Sequence, residues 1–310
     1  MFTELELHGI KVVVYRGDLN HPQISGNKLH KLTPNVEFAQ HRECEGILSF
    51  GGPYSNHLHA LAWACKDAGL KSIGLIRGEL HDDLTPTLND CQSWGMQLAA
   101  LSRSDYRAYQ GILSVLQEPC LLSELSVNPV LESLYASKIP NLERILVVPE
   151  GGSNSLAIAA LTKAYRKVFG AIESQGTRIT HAVCATGTGA TLAGLYKATP
   201  DSIDVIGVQA VAEGGATLAR IQGWLGVKDS SNLIVPRLTI QEGHLGRFAK
   251  MPAELMTFIN NFERQYNIPL DPVYTGKVMF KLSNMIEAGY FNSKDKILFI
   301  HTGGLQGKRV

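Results

Sequence analysis

The sequence predicts an α/β fold with open parallel sheets that carry helices on both faces. Strand-like and helix-like patterns alternate along most of the 310 residues, which is typical of parallel sheets covered on two sides. Four short apolar runs end in glycine turns, at Gly51, Gly151, Gly187 and Gly303. Because α/β proteins bind ligands at the carboxyl ends of their parallel strands, we expect these four turns to converge on one crevice.

The N-terminal half begins with an apolar, β-branched run and continues with clear turn signals. Ser55 is expected to begin a helix as its N-cap, and Gly69 to follow its end. Apolar residues at helical spacing between these positions support the helix. The predicted strands of this half are 12–15, 47–50, 72–76, 97–101 and 145–148, and the predicted helices are 32–41, 55–68, 85–94 and 106–117.

The C-terminal half repeats the alternation, and a glycine- and threonine-containing loop directly follows its first strand. The predicted strands are 180–184, 205–209 and 297–300, and the predicted helices are 153–169, 190–198, 253–264 and 274–288. No linker or internal repeat marks a boundary, so length and pattern allow one large or two medium domains.

Composition excludes several classes of function. The formal net charge is +1, so no global field attracts nucleic acid or an anionic membrane, and the ligand must occupy a local site. No apolar run reaches the ~20 residues that span a bilayer, and the first residues lack a signal-peptide pattern. The five cysteines form no Cys-x-x-Cys pair, which argues against a disulfide framework and a metal site. We therefore expect a cytoplasmic protein with reduced thiols.

Two lysines, Lys28 and Lys31, lie three residues apart in the segment 25–32, just after the first strand. Their spacing places them on one side of a helix. Solvated lysines at a helix start are one interpretation. The other is a pair of amines at a ligand site, which gains support from the glycine turns elsewhere in the chain.

The loop 186–191 (TGTGAT) joins a strand to a helix and suits a phosphate group. Glycines allow close approach of the backbone, amides at a helix N-terminus point at an anion, and threonine hydroxyls add donors. The loop is neither a Walker loop nor a dinucleotide fingerprint, since after Gly189 the next glycine is Gly194. A tight turn without a ligand remains the alternative.

The turn at Gly51 leads into Ser55, Asn56 and His57, which repeat the arrangement of a strand end, glycines and a helix start. The amides of these residues are able to hold a carboxylate, and the Ser55 hydroxyl could act on a substrate. The alternative is a structural N-cap serine. Together with Lys28 and the loop 186–191, this turn suggests a pyridoxal phosphate site.

In six segments the chain resembles the 1-aminocyclopropane-1-carboxylate deaminase/D-cysteine desulfhydrase family, within the tryptophan-synthase-β group (fold type II) of pyridoxal phosphate enzymes. They occur in the family's order and span nearly the whole chain. They are 26–32 (GNKLHKL), 51–57 (GGPYSNH), 151–154 (GGSN), 186–189 (TGTG), 271–277 (DPVYTGK) and 300–304 (IHTGG). The resemblance implies two α/β domains with the cofactor in the cleft between them: a larger one from 1–40 and 151–310, and a smaller one from 41–150.

The resemblance also implies roles for individual residues. Lys28 would form the Schiff base with pyridoxal 5'-phosphate, with Lys31 as a nearby second lysine. Asn56 would bind the cofactor's phenolic oxygen, and Ser55 to His57 would bind the substrate carboxylate. The phosphate would be held by Thr186, Gly187, Thr188, Gly189, Ala190 and Thr191.

The remaining implied positions bear on the reaction. Tyr274 and Ser55 would face the reacting atoms, Thr302 would contact the cofactor, and Thr275 would stand at the pyridine nitrogen, where the deaminase is expected to have glutamate. A threonine hydroxyl stabilises a full carbanion less well than an acidic partner does, which favours β-elimination from a cysteine-like amino acid. Phe248 aligns where the family commonly has an active-site tyrosine.

Three functions stay open on these grounds. The first is a D-cysteine desulfhydrase-like lyase that yields pyruvate, ammonia and sulfide. The second is a 1-aminocyclopropane-1-carboxylate deaminase, and the third is a pyridoxal phosphate binding protein without activity. We expect a small amino-acid substrate, a homodimer, and neither nucleic acid nor membrane as a partner.

Overall fold

The computed structural model describes residues 1–114, 118–125, 144–211, 216–227, 235–246 and 251–309. The chain forms two compact units. Unit 1 comprises Met1–Asn27 and Ile158–Lys308, and unit 2 comprises Lys28–Ala157 and Arg309–Val310. The division at residues 41 and 150 that the family resemblance implies stays a prediction.

Strands and helices alternate as the sequence pattern predicts. The strands are β1 (Phe2–Leu7), β2 (Ile10–Tyr15), β3 (Gly46–Gly51), β4 (Lys71–Arg77), β5 (Met96–Leu101), β6 (Cys120–Leu121), β7 (Ile145–Val147), β8 (His181–Thr186), β9 (Asp204–Gln209), β10 (Leu238–Glu242) and β11 (Lys296–Ile300). The helices are α1 (Asn27–His41), α2 (Asn56–Asp67), α3 (Pro86–Ser93), α4 (Arg103–Ser114), α5 (Ser155–Glu173), α6 (Ala190–Ala198), α7 (Ala216–Leu225), α8 (Ala253–Tyr266) and α9 (Thr275–Glu287).

Unit 1 is built on a six-stranded sheet with the order β1-β2-β11-β8-β9-β10. Its strands run parallel except for β1, which pairs antiparallel with β2 from Phe2 opposite Tyr15 to Leu7 opposite Ile10. Strand β8 is central and pairs with β11 on one side and β9 on the other. The loop that follows β8 therefore begins at the carboxyl edge of the sheet, where parallel strands offer a ligand site.

Two apolar clusters cover the two faces of this sheet. One cluster packs α8 and α9 against residues such as Val183 and Phe299. The other packs α5 and α6 against residues such as Cys184 and Leu298. Successive strand residues thus enter opposite cores, which explains why the central strands read as continuous apolar runs in the sequence.

Unit 2 contains a five-stranded sheet with the order β5-β4-β3-β7-β6. Strands β3, β4, β5 and β7 are parallel, and the two-residue β6 pairs antiparallel with β7. Strand β3 is fully buried and leads into α2 through the turn after Gly51. The predicted α/β class is confirmed, with the correction that both sheets carry one antiparallel edge strand.

The sequence analysis did not predict β1, β6, α7 or β10. The helix predicted over 106–117 begins three residues earlier, at Arg103. Phe248, aligned with the family's tyrosine, lies outside the residues that the structure describes. Across the described ranges, no helix combines the length and apolarity needed to cross a bilayer. In the same ranges, no group of three or more His, Cys, Asp and Glu side chains is arranged to hold a metal ion.

Candidate active site

Lys28 and Lys31 both lie in the first turns of α1, but their surroundings differ. Lys28 is half-buried, whereas Lys31 is 2% exposed. The Lys31 ammonium donates to the carbonyl of Gly151 at 2.8 Å and to the Ser153 hydroxyl at 3.2 Å. Lys31 is therefore no solvated surface lysine. It ties α1 to the glycine turn that follows β7, because a buried ammonium requires hydrogen-bond acceptors.

Ser55 is the N-cap of α2, and its hydroxyl oxygen accepts the amide hydrogen of Leu58 at 3.2 Å. The hydroxyl proton remains available, since a serine hydroxyl is one donor as well as an acceptor. A Cβ on Gly51 would lie 2.5 Å from this oxygen, so the turn requires glycine there. Ser55 and Asn56 are half-buried at the start of the helix, so structural capping and a chemical role are compatible.

His57 is buried and held in one tautomer. The Ser49 hydroxyl donates to the carbonyl of Val148 at 2.7 Å, so the 2.7 Å contact between His57 Nε2 and Ser49 Oγ is donated by His57. His57 Nδ1 is therefore an unprotonated acceptor, and within the described part of the chain it has no hydrogen-bond partner. Burial lowers the pKa of His57 well below its usual range, and the charges of Lys28 and Lys31 act in the same direction.

The glycine turn after β7 lies against the same histidine. Gly152 has a φ of +67°, and a Cβ there would lie 3.3 Å from His57 Cε1 and 3.5 Å from Lys31 Cβ. Unit 2 therefore brings Lys31, His57 and the turn 151–153 together, and the convergence of all four glycine turns on one crevice stays a prediction. The burial of His57 Nδ1 beside this turn identifies a neutral acceptor that the sequence pattern did not predict.

In unit 1, the predicted phosphate loop joins β8 to α6. Thr186 ends the strand, Gly187 to Gly189 form bends, and α6 begins at Ala190. Gly189 has a φ of +96°, where a side chain is disfavoured, and a Cβ there would approach Ile221 Cγ1 to 2.8 Å. Glycine at this position lets the chain turn sharply into the helix while α7 packs against it.

The donor set of this loop fits an anionic phosphate. The Thr186 hydroxyl is buried beside Gly207 of β9, and among the described residues it has no hydrogen-bond partner, which leaves a donor at the end of the strand. The N-terminal amides of α6 add further donors, and the positive end of a helix favours an anion. The Thr191 hydroxyl accepts from Asn27 Nδ2 at 2.8 Å and keeps its own proton to donate. Asn27 is the residue immediately before Lys28.

Helix α7 contacts the phosphate loop through two polar side chains. The Thr217 hydroxyl donates to the carbonyl of Gly187 at 3.3 Å, and Arg220 Nε donates to the carbonyl of Thr188 at 3.3 Å. Arg220 Nη2 also donates to Thr217 Oγ1 at 3.2 Å. The sequence pattern predicted neither residue. The positions 217, 220, 221 and 224 share one helical face, and this spacing is the signal that could have identified them.

The segment 271–277 forms a turn whose side chains bind its own backbone. One carboxylate oxygen of Asp271 accepts the amides of Val273, at 2.8 Å, and of Tyr274. In return the Thr275 hydroxyl oxygen accepts the Asp271 amide at 2.8 Å. Thr275 is 0% exposed, and its hydroxyl proton remains available for a further acceptor. A buried, neutral hydrogen-bond donor therefore occupies this position.

The same turn places the Tyr274 ring beside the phosphate loop. A Cβ on Gly187 would lie 3.4 Å from Tyr274 Cε1, an ordinary van der Waals distance. Lys277, on the first turn of α9, is buried and donates to the carbonyls of Ala210, at 3.2 Å, and of His244, at 3.0 Å. Burial lowers the pKa of Lys277, and the charge of Asp271 opposes that shift.

Thr302 lies against the chain that leads into α1. Its carbonyl accepts the Asn27 amide at 3.3 Å, and a Cβ on Gly26 would lie 1.9 Å from that carbonyl oxygen. The neighbouring His301 Nε2 is 2.7 Å from the Pro269 carbonyl, while its Nδ1 accepts the Gly303 amide. Gly26 is thus required by close approach of two backbone segments, independently of any ligand.

The predicted site residues therefore fall into two groups. Unit 1 brings together the loop 186–191, the turn 271–277 and the segment 300–304. Unit 2 carries Lys28, Lys31 and the turn 51–57. The sequence analysis did not predict the contacts of Ser49, Thr217 and Arg220, which the structure shows.

The chain matches the family described as "Pyridoxal-phosphate dependent enzyme" over residues 3–303. It is 26% identical over 307 residues to a putative 1-aminocyclopropane-1-carboxylate deaminase of Pyrococcus abyssi, covering 96% of this chain and 86% of that protein. It is 28% identical over 305 residues to a D-cysteine desulfhydrase of Yersinia pestis, covering 96% and 87% of the two chains.

Solved structures show the same fold. The crystal structure of an ACC deaminase homologue has a TM-score of 0.76 at 24% identity and covers 99% of this chain and 90% of its own. A hydrogen sulfide-producing enzyme from Fusobacterium nucleatum has a TM-score of 0.60 at 13% identity and covers 99% and 95%.

Proposed function

Because the chain belongs to the family of pyridoxal-phosphate dependent enzymes, we propose that it catalyses β-elimination of a cysteine-like amino acid and releases pyruvate, ammonia and sulfide. It is an enzyme of the aminocyclopropane-carboxylate deaminase/D-cysteine desulfhydrase group, and pyridoxal 5'-phosphate is its cofactor. The choice of substrate within this group is the proposal.

The observation that supports β-elimination is the neutral donor at Thr275. Its hydroxyl accepts the Asp271 amide and is fully buried, with one proton left to donate. At the cofactor's pyridine nitrogen, such a hydroxyl would donate a hydrogen bond without giving up its proton, because its pKa lies far above that of a carboxylic acid. The bound cofactor supplies an electron sink for charge developing at Cα. A leaving thiolate at Cβ removes that charge, so elimination depends less on a protonated nitrogen than ring opening does.

The other side chains have assigned roles in this proposal. Lys28 would hold the aldehyde of the cofactor, and as a free amine it would take the Cα proton of the substrate. Asn56 would donate to the phenolic oxygen, while the amides of Ser55 to His57 would bind the carboxylate. Ser55 and Tyr274 position the carboxylate and the leaving thiolate.

The test compares substrates on the unmodified protein. We expect sulfide and pyruvate from D- or L-cysteine in preference to 2-oxobutyrate from aminocyclopropane carboxylate. Ring opening is the second candidate, because one of the relatives is a putative 1-aminocyclopropane-1-carboxylate deaminase. Ring opening has no Cα proton to remove and would rely on Ser55 and on tyrosine hydroxyls, of which Tyr274 is present whereas Phe248 aligns with another. Robust 2-oxobutyrate release with little sulfide would reverse our order of the two.

Variants test the assignment of the base. Borohydride should fix the cofactor at Lys28 and not at Lys31, and Lys28→Ala should abolish sulfide release. Lys294→Ala, at an exposed lysine, is the matched control and should retain activity. Thr275→Glu should raise ring protonation, visible in the absorption spectrum, and slow elimination. Fixation at Lys31, or unchanged turnover in Lys28→Ala, would contradict the assignment.

We also propose a cytoplasmic homodimer. All five cysteines are free in the structure, as expected of a reducing compartment. Light scattering of the purified holoenzyme should give twice the chain mass, and a monomeric mass would contradict the dimer.

A further inference from the structure

We propose that Thr217 and Arg220, on α7, are positioning residues that aim the amides of Thr188 and Gly189 at the cofactor phosphate. The inference rests on the phosphate-binding role proposed for the loop 186–191 and not on which amino acid is the substrate. Both side chains act on the loop through its carbonyl oxygens.

The contacts link the two side chains to the loop and to each other. Thr217, 2% exposed, donates to the Gly187 carbonyl, and Arg220 donates to the Thr188 carbonyl and to the Thr217 oxygen. Two consecutive carbonyls of the loop are therefore hydrogen-bonded to side chains of a single helix. The arginine also bridges to the threonine, so each donor holds the other in place.

The geometry of the trans peptide gives these contacts their consequence. In a planar trans peptide the carbonyl of one residue and the amide hydrogen of the next point in opposite directions. Holding the Gly187 and Thr188 carbonyls toward α7 therefore directs the amide hydrogens of Thr188 and Gly189 away from α7. Carbonyl oxygens turned toward α7 also cannot repel an anion bound on the opposite side of the loop.

Apolar packing on the same helical face fixes the distance between α7 and the loop. A Cβ on Gly189 would lie 2.8 Å from Ile221 Cγ1 and 3.3 Å from Trp224 Cζ3. The loop cannot move closer to α7. Two polar contacts set the orientation of its peptides, and two apolar side chains set its position, which together make a preorganised set of donors.

The alternative is that Thr217 and Arg220 only stabilise the fold. The two interpretations differ for a ligand that lacks the phosphate. If the side chains orient phosphate-binding amides, their loss weakens binding of pyridoxal 5'-phosphate but leaves pyridoxal unaffected. If they only stabilise the fold, the affinities for both ligands should change together, or neither affinity should change.

The experiment measures dissociation constants of full-length apo-protein for pyridoxal 5'-phosphate and for pyridoxal, by equilibrium dialysis. Thr217→Val and Arg220→Met should each raise the dissociation constant for pyridoxal 5'-phosphate about tenfold, as expected for charge-assisted hydrogen bonds that lose alignment. The dissociation constant for pyridoxal should not change. Thr217→Ser keeps the hydroxyl and should bind both ligands like the unmodified protein. Arg237→Met is the matched control, because Arg237 also donates to backbone carbonyls, of Pro200 and Ile203, and should change neither affinity.

Equal losses for both ligands, or no loss for either, in Thr217→Val and Arg220→Met would overturn the inference. Weaker binding of pyridoxal 5'-phosphate by Thr217→Ser than by the unmodified protein would also overturn it. These outcomes are separate from the substrate proposal, since the affinities are measured without turnover. A protein that opens aminocyclopropane carboxylate instead of eliminating sulfide could still show the tenfold difference.

Discussion

Gly187 and Gly189 lie two residues apart in the proposed phosphate loop, yet alanine at each should affect a different property of the protein. Gly189 has a φ of +96°, and its added Cβ would meet Ile221 Cγ1 at 2.8 Å and Cδ1 at 3.2 Å. Gly187 has no such φ, and its Cβ would meet only ordinary contacts, 3.4 Å from Tyr274 Cε1 and 3.9 Å from Val211 Cγ2. The comparison therefore separates the stability of the fold from the binding of the ligand.

The magnitudes follow from these geometries. At Gly189, a left-handed alanine costs about 1–2 kcal/mol, and overpacking against the isoleucine adds about 1–3 kcal/mol. The sum, about 2–5 kcal/mol, is a large part of the ~5–15 kcal/mol that stabilises a typical domain. At Gly187 the free energy of unfolding should change by less than about 1 kcal/mol, because the unfolded chain of the alanine variant also loses entropy.

Urea unfolding of the two apo-variants, followed by circular dichroism, measures the difference. We expect a clearly lower midpoint for Gly189→Ala with an unchanged slope, and a midpoint near the unmodified protein for Gly187→Ala. Cofactor affinity should fall in Gly187→Ala, because the methyl group lies on the side of the loop that faces Tyr274, and the proposed function assigns Tyr274 to the reacting atoms. Equal midpoints for the two variants would refute the packing argument, and full cofactor affinity in Gly187→Ala would refute the assignment of the binding face.

Three further expectations concern unit 2. Burial lowers the pKa of His57, so below about pH 6.5 the unfolded chain takes up a proton that the folded chain does not. The free energy of unfolding should therefore fall as pH decreases below 6.5, by up to about 1.4 kcal/mol per pH unit. His57→Gln should make that slope shallower between pH 6.5 and 5 in urea titrations, and an unchanged slope would contradict the neutral state. Lys31→Met removes a buried ammonium from two acceptors and should lower the free energy of unfolding by about 1–3 kcal/mol, whereas a midpoint equal to that of the unmodified protein would show that its contacts contribute nothing. Burial raises the pKa of Cys65 and of Cys91 to about 12, so neither thiol should react with a thiol reagent at pH 8 until the protein is unfolded, and rapid labelling of either in the native protein would show that it is accessible.

The sequence was sufficient to predict most of the fold and the segments of the candidate site. The central strands are apolar over their whole length because both faces of each sheet are covered, and that pattern is visible without coordinates. Ser55 as an N-cap and the loop 186–191 between a strand and a helix are local features, and both are observed. Local backbone chemistry sets them, so they are readable from a few adjacent residues.

Other elements required the tertiary structure. Strand β10 pairs with β9 through residues such as Thr239 opposite Ile206, and its five residues form a strand because that partner supplies their backbone hydrogen bonds. Similarly, β1 is a strand because β2 lies beside it. Edge strands depend on backbone hydrogen bonds to a neighbour more than on their own side-chain pattern, so periodicity alone identifies them poorly.

The sequence alone determined which residues are able to do chemistry: Lys28, the glycine turns, the threonine loop, and a threonine at position 275. The tertiary structure decided the state of their neighbours. It buries Lys31 on the carbonyl of Gly151, fixes the tautomer of His57 through Ser49, and brings Arg220 to the carbonyl of Thr188. These contacts join residues that are far apart in the chain, and their energies depend on burial and hydrogen-bond geometry. Both arise only when the sheets and helices have packed.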